Sequence, residues 1–521
     1  MKLAQALICI ALLSSPVPRA APVPHVDTQA RRPPSAQERV IKANQMPGAD
    51  AGAKINAADA ALGATKGTII WTGPGTAAAS IIIAGNHTLR LEQAQLTSTA
   101  NNPVIRLKDN SALECDSWAS TISESTGVTT VSSPLNIVAD YNGSQLNGAR
   151  AQNLAVRGCH LKGHAPVTGT VRFTNGSTAI TASSPLFTSA MTDYTGHWTI
   201  YAAGVTFGGS GATTIATVTD ATHATLADAA HQSTSAMATI IHFSSTPPAI
   251  SLGNCQNCVV ERNWLERTHS IGINIGGGSM AWQYAQNFIV RNNLLTGVAS
   301  QNLSITNADG AQLLHNTIRG FSQAHGPGSN AIDVEPNTGD RCANVVIDGN
   351  IIDNADVSPP PIEALIGITV QNGNGATPYG PVLVTNNRVL GAPFNQPVAN
   401  NIQAYGLLVR TAAGVTLKDN YIQRVAVGWQ LDYSANNNLV EHNICMSCGS
   451  GGTATAVLDN AANNRIRRNI FISNRASPVP GLDALARHIV ETGQSDGNIF
   501  EDNDAAVTKK GLRSVVIGRQ E

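Results

Sequence analysis

The segment Leu417-Lys418-Asp419-Asn420-Tyr421-Ile422 sets one asparagine between two short apolar runs, and the same phrase returns along the chain. Val290-Arg291-Asn292-Asn293-Leu294 is another copy, and the asparagine of the pattern recurs at Asn263, Asn293, Asn316, Asn350, Asn387, Asn420, Asn443, Asn469 and Asn503. The intervals are 30, 23, 34, 37, 33, 23, 26 and 34 residues. A floor of 23 with additions of up to fourteen is what one coil of a right-handed parallel β-helix plus loops of variable length gives. Helices of ten or more residues do not fit between such turns, which argues against a helical solenoid. Asparagine suits the bend because it tolerates left-handed backbone angles, and its amide can hydrogen-bond from coil to coil.

Each repeat carries a second strand, at 272–276, 302–306, 331–335, 367–371, 406–410, 428–432, 455–459 and 487–491. The second and fourth positions are mostly apolar and are expected to fill the interior. The fifth position then stacks Thr306, Glu335, Gln371, Arg410, Asp432, Asp459 and Glu491 in one outward column, with about 4.8 Å between neighbours. The third position adds Asn274, Ser304, Asp333, Thr369 and Gln430 beside it. Larger loops, at 320–329, 354–365, 391–404 and 475–486, all enter between the asparagine turn and this strand. They are expected to rise on one side as a wall, and wall and polar strip together make an elongated groove. Such a groove suits an extended polysaccharide better than a compact metabolite.

The rest of the chain is consistent with an all-β body of 521 residues. Charged residues are 13% of it, against about 25% in an ordinary domain. The formal net charge is −1, and no run of Lys or Arg with interleaved aromatics provides a field for nucleic acid. Residues 1–21 read as an export signal, with Lys2, an apolar run from Leu3 to Leu13, and then small residues and prolines. That run is too short to span a bilayer, and no later stretch is long and apolar enough, so no membrane is expected once the signal is removed. The mature protein is expected in the extracellular or periplasmic space.

Residues 22–46 have no apolar period and read as a linker. An N-terminal capping helix is expected from Asp50 to Leu62, with Gly63 as its stop, followed by a strand at 67–71. The cap and first coils occupy 47–164, a small antiparallel β-rich insertion 165–245, and the main parallel β-helix 246–521. Seven cysteines follow the signal segment, and Cys255/Cys258 and Cys445/Cys448 share a two-residue spacing. That spacing suits zinc or a small disulfide, but about 190 residues between the pairs argue against one shared zinc site. An odd count leaves one thiol unpaired or bridging outward.

From about residue 47 the chain resembles the pectin-lyase-like superfamily of pectate lyases, polygalacturonases, related depolymerases and phage tailspikes. The resemblance is architectural. The ordered polygalacturonase set of Asn-Thr-Asp, Asp-Asp, Gly-His-Gly and Arg-Ile-Lys is missing, as is the pectate-lyase pattern of a paired-Asp calcium strand with a downstream Arg-x-Pro. The fold is therefore better specified than the reaction.

The stretch Ala331-Ile332-Asp333-Val334-Glu335 is the candidate centre, because two acids share the outer face of one strand in a chain poor in charge. Three functions fit it. In the first, a glycoside hydrolase, Glu335 is the acid because Asp333 beside it raises its proton affinity, Asp333 activates water, and Asp432 assists the pair. In the second, a lyase or epimerase on uronic-acid polymers, Asp333, Glu335 and Asp340 hold Ca²⁺ and Arg410 is a base or a carboxylate clamp. His325, in the loop ahead of the acids, would act as acid/base. The third is a non-catalytic glycan-binding scaffold, with Trp282 and Tyr379 stacking on sugars and Thr306, Gln371 and Asp432 lining the groove. Only the lyase route calls for a cofactor, and monomer and trimer both fit.

Overall fold

The pattern asparagines form one continuous column in the computed structural model. It describes residues 38–99, 103–124, 135–139, 151–163, 165–191, 198–202, 204–208, 211–242, 248–268, 270–276, 284–320, 330–354, 366–372, 380–391, 405–448, 456–472 and 488–518. From Asn293 to Asn503, each side-chain Oδ1 accepts from both the backbone N–H and the Nδ2–H of the column member before it, at 2.9–3.1 Å. The remaining amide proton goes to a carbonyl of an earlier coil, as Asn350 Nδ2 does to Leu313 at 2.9 Å. The left-handed backbone angle falls one residue earlier, on Asn292, His315, Asp419, His442 and Arg468, with φ of 52–56°. The column position thus requires the asparagine amide, not the backbone tolerance expected of it. A second column, Asn438, Asn464 and Asn498, lines another corner.

Between these corners the chain winds as a right-handed parallel β-helix. One face is a thirteen-stranded parallel sheet running from Ile81–Ile83 to Ala506–Thr508. The other two ladders merge into a 25-stranded sheet, because Gly67–Ala77 and His87–Ser98 are long enough to pass from one into the next. Parallel strands buried on the inside read as apolar residues at alternate positions, and one unbroken core runs from Ile55 through Val290 and Trp429 to Phe500. On the merged sheet, outward charges pair from coil to coil. Arg157 bridges Glu114 and Glu261, Arg291 binds Glu261 at 2.7 Å, and Glu441 takes Lys418 and Arg467.

The helix spans Ala51–Leu62, with Asp50 Oδ1 accepting from Ala53 N at 2.7 Å and Gly63 at φ 63° ending it. It buries Ile55, Ala58 and Leu62 over the first coil. The segment read as linker already holds a strand, Arg39–Lys42, paired with Gly67–Ile70. Backbone pairing supplies that strand without an apolar period, which is why periodicity did not reveal it. Residues 167–242 form a closed six-stranded antiparallel barrel with its own core around Phe173, Phe207 and Ile240. The solenoid stacks past the barrel, since Ile137 pairs with Ile250 and His160 with Trp264. Disulfides join Cys115 to Cys159, Cys255 to Cys258 and Cys445 to Cys448, leaving Cys342 free and buried. Among the described residues no helix is long and apolar enough to cross a membrane, and the signal segment lies outside them.

Candidate functional site

Asp333 lies in the strand Asn330–Val334, at the centre of the thirteen-stranded face. Alternation sends Ile332 and Val334 into the core and turns Asp333 and Glu335 outward together. Ser304 and Thr369 are its in-register neighbours on the coils before and after. The outer column also follows the expected register, with Gln371 beside Arg410, Arg410 beside Asp432, and Asp432 beside Asp459. It departs at the next coil, where Asp459 pairs with Thr492 and Glu491 pairs with Leu458. A one-residue slip reverses the facing of every side chain, so Glu491 points inward and leaves the strip. There it accepts from Lys510 N, Gly511 N, Asn498 Nδ2 and Ser514 Oγ and ties down the C-terminal coil.

The two columns differ in access. Thr306, Glu335, Gln371 and Arg410 are half-buried, whereas the third-position residues Asn274, Ser304, Asp333, Thr369 and Gln430 are at most 9% exposed. Asp333 is 1% exposed, with Gln301 Nε2 3.5 Å from its Oδ2. Its Oδ1 has no hydrogen-bond partner, nor have Asn330 Oδ1, Asn274 Oδ1 and Thr369 Oγ1 around it. These oxygens leave the strip with acceptors open to a bound water or ligand.

Burial, then the charge of Glu335, push the Asp333 carboxyl up to about 8, against the pull of the Asn330 and Gln301 amides. Asp333 is therefore the carboxyl that holds its proton near neutral pH. The reason is position, since Asp333 is mid-strand and sealed while Glu335 stands half-exposed at the strand end.

The other candidates are dispersed. Asp432 is three coils from the pair, which is about 14 Å at the coil spacing, so it does not partner either acid. It is buried, and burial raises its pKa despite the ion pair it makes with Arg410. Arg410 gives Nε and Nη2 to Asp432 Oδ2 at 3.2 and 3.0 Å and lies 5.1 Å from the Tyr433 ring. Its polar edge is committed to that carboxylate, which makes it a rung of the strip and a poor base. Thr306 Oγ1 makes a long bond of 3.4 Å to the Ile275 carbonyl, and Gln371 stands between Glu335 and Arg410. Asp340 takes Asn337 Nδ2 at 3.2 Å within its own turn, and burial raises its pKa. Among the described residues no three His, Cys, Asp or Glu side chains gather to hold a metal. The calcium set of Asp333, Glu335 and Asp340 is not assembled.

His325, Trp282, Tyr379 and the expected wall loops at 320–329, 354–365, 391–404 and 475–486 fall wholly or mostly outside the described residues. The barrel leaves the solenoid between Lys162 and Ile250, the same corner of the coil at which those loops enter. Tyr201 and Ile241 of the barrel bury against Ala299 at that corner. Gln301 and Asn330, the amides beside Asp333, were missed because the strand alignment began one residue after each of them. Extending each strand two residues upstream from Leu303 and Ile332 brings both onto one level.

A right-handed β-helix family model matches residues 366–515, and no curated protein sequence matches the chain. Among solved structures, the A-module of the mannuronan C-5 epimerase AlgE4 from Azotobacter vinelandii is similar, with a TM-score of 0.53 at 13% identity, covering 92% of this chain and all of that one. The catalytic unit of a GH87 α-1,3-glucanase from Streptomyces thermodiastaticus is similar with a TM-score of 0.50 at 14% identity, covering 93% of this chain and 69% of that one. The asparagine column, the stacked parallel faces and these likenesses together make the chain a right-handed parallel β-helix protein.

Proposed function

We propose that the chain binds an extended polysaccharide along the strip from Thr306 to Asp459 and modifies it by acid/base chemistry at Asp333 and Glu335. The observation that carries this reading is a sealed carboxyl that holds its proton near neutral pH beside a second, half-exposed carboxyl. A pKa near the working pH is what a proton-transfer group requires. Two solved structures on the same scaffold, a mannuronan epimerase and an α-1,3-glucanase, act on polysaccharides, which supports the substrate class.

Two reactions differ in what they ask of the pair. Inverting hydrolysis needs carboxyls about 6.5–9.5 Å apart and retaining hydrolysis about 5–5.5 Å. Withdrawal of a proton from a sugar carbon with protonation of the leaving oxygen from the same side, the chemistry of a syn-eliminating lyase, suits two carboxyls on one face of a strand. In that reaction Glu335, the accessible member, takes the proton from carbon, and Asp333 supplies one to the leaving oxygen as the carbon–oxygen bond breaks. Neutral Asp333 also lowers the charge facing a substrate carboxylate. Hydrolysis, the second reading, requires the two carboxyls to stand at one of those separations when substrate is bound.

The purified protein should be incubated with alginate, pectate, and neutral α- and β-glucans, with and without a chelator. Absorbance near 235 nm marks elimination, a changed uronate proton spectrum marks epimerisation, and reducing ends alone mark hydrolysis. Asp333→Asn and Glu335→Gln should each lower the product rate by ~10²-fold or more. Wild-type rates in both variants, or no product from any polymer, would refute the proposal.

A further inference from the structure

A second pocket lies on the merged sheet, away from the face that carries Asp333. It encloses about 490 Å³ and is lined by Glu114, Asp116, Trp118, Arg157, Gly158 and Arg262, among others. Its floor is fixed. Gly158 sits at φ 71°, where a Cβ would come within 2.7 Å of the Cys115 carbonyl, and the Cys115–Cys159 disulfide brackets it. Trp118 is 41% exposed, yet its indole N–H donates to the Arg262 carbonyl at 2.7 Å. Trp264 packs beside it at 5.7 Å and stacks in turn on His160, at 3.9 Å. In a chain with only 4% aromatic residues, an exposed indole locked in one orientation beside a cavity is an interaction surface.

The polar groups identify what would sit there. Arg157 is consumed by Glu114 and Glu261. Asp116 is held ionised by Ser120, Gln93 and Ser117 despite the cost of burial. Arg262 leans on Glu261 only at 3.6 Å and keeps a 65% exposed side chain, and the Glu114 side chain is 40% exposed. Two acids face two arginines, so the pocket has no surplus charge to draw an anion or a cation. It offers a flat apolar ring with donors and acceptors interleaved at its rim, which is the complement of a pyranose: apolar C–H groups on one face and hydroxyls at the edge.

We infer that the Trp118 pocket is a binding subsite for an uncharged glycan unit, separate from the Asp333–Glu335 strip and independent of the reaction assigned to it. Trp118 is the stacking platform, and Arg262 and Glu114 take the hydroxyls. Isothermal titration calorimetry with cellohexaose, laminarihexaose and maltohexaose, and with a mannuronate hexamer as the charged counterpart, tests this directly. Heat that depends on Trp118 is expected from at least one neutral hexasaccharide. Trp118→Ala should weaken that component at least 10-fold, Trp118→Phe should restore part of it, and Arg262→Ala should weaken it several-fold with the melting temperature unchanged. Asp333→Asn should leave it intact, so loss of catalysis at the strip and loss of binding here are separable. Equal binding by wild type and Trp118→Ala, tighter binding of the mannuronate hexamer, or no Trp118-dependent heat from any neutral sugar would overturn the inference.

Discussion

Replacing Asp333 by Asn should make the protein more stable in alkali, which is the reverse of the usual effect of removing a buried polar group. In the unfolded chain the carboxyl titrates near 4. In the folded chain burial and Glu335 push it to about 8. Between those values the folded state binds the extra proton, so stability is fully present below pH 4 and is lost as pH rises through 8. One pKa unit corresponds to about 1.4 kcal/mol. With part of the effect shared with Glu335 and with the Asn330 and Gln301 amides, we assign ~2–3 kcal/mol to Asp333 itself. Asn is neutral at every pH and nearly isosteric, so it removes that loss. Urea unfolding of both proteins at pH 5 and pH 9, followed by circular dichroism, reads the difference. Asp432, Asp340 and Tyr405 also have raised pKa values and contribute equally to both proteins, so the double difference isolates Asp333. Wild type should lose ~2–3 kcal/mol more than Asp333→Asn over this range. Parallel pH dependences would show that Asp333 is already ionised in the folded state at pH 5 and that the proton assignment is wrong.

The asparagine column and the C-terminal anchor yield further expectations. Asn350 is fully buried, and its amide makes bonds to Asn316, Asn387 and Leu313. Asn350→Ala should cost ~2–4 kcal/mol by leaving the neighbouring amides unpaired, whereas Asn386→Gly, at the left-handed position before Asn387, should cost under ~1 kcal/mol. Denaturant midpoints compare the two. Glu491→Ala removes the acceptor for four donors of the last coil. It should raise hydrogen exchange at 498–516 by at least tenfold while leaving the Asp333 strand protected, since solenoid coils depend chiefly on their neighbours. Uniform exchange across both regions would contradict that local role.

The solenoid was legible because one position per coil needs a single side-chain chemistry. Asn293, Asn316 and Asn350 must each donate and accept along the column, and no other residue does both from that bend, so the interval between asparagines reads out coil length. Much of the strip was legible for a related reason, since in-register stacking carries Glu335, Gln371, Arg410 and Asp432 into one line once the apolar positions are aligned. At Glu491 the alignment failed because both it and Thr492 are polar, and the choice between facings is made by donors at 498–514 that a local pattern does not contain. Which acid keeps the proton was equally hidden. Alternation shows that Asp333 and Glu335 face the same way, but the depth of each depends on strand ends and on neighbouring coils. The Trp118 pocket joins residues from Glu114 to Asn292, and its cluster forms only because the coil that holds His160 stacks directly on the one that holds Trp264.

The most direct test of the central claim is a crystal structure of Asp333→Asn with a hexasaccharide of whichever polymer the wild type modifies. The account predicts a sugar chain lying along the column from Thr306 to Asp459, with one ring within hydrogen-bond distance of Glu335 and residue 333. A chain bound across the solenoid, or along the strip with no ring near that pair, would contradict it.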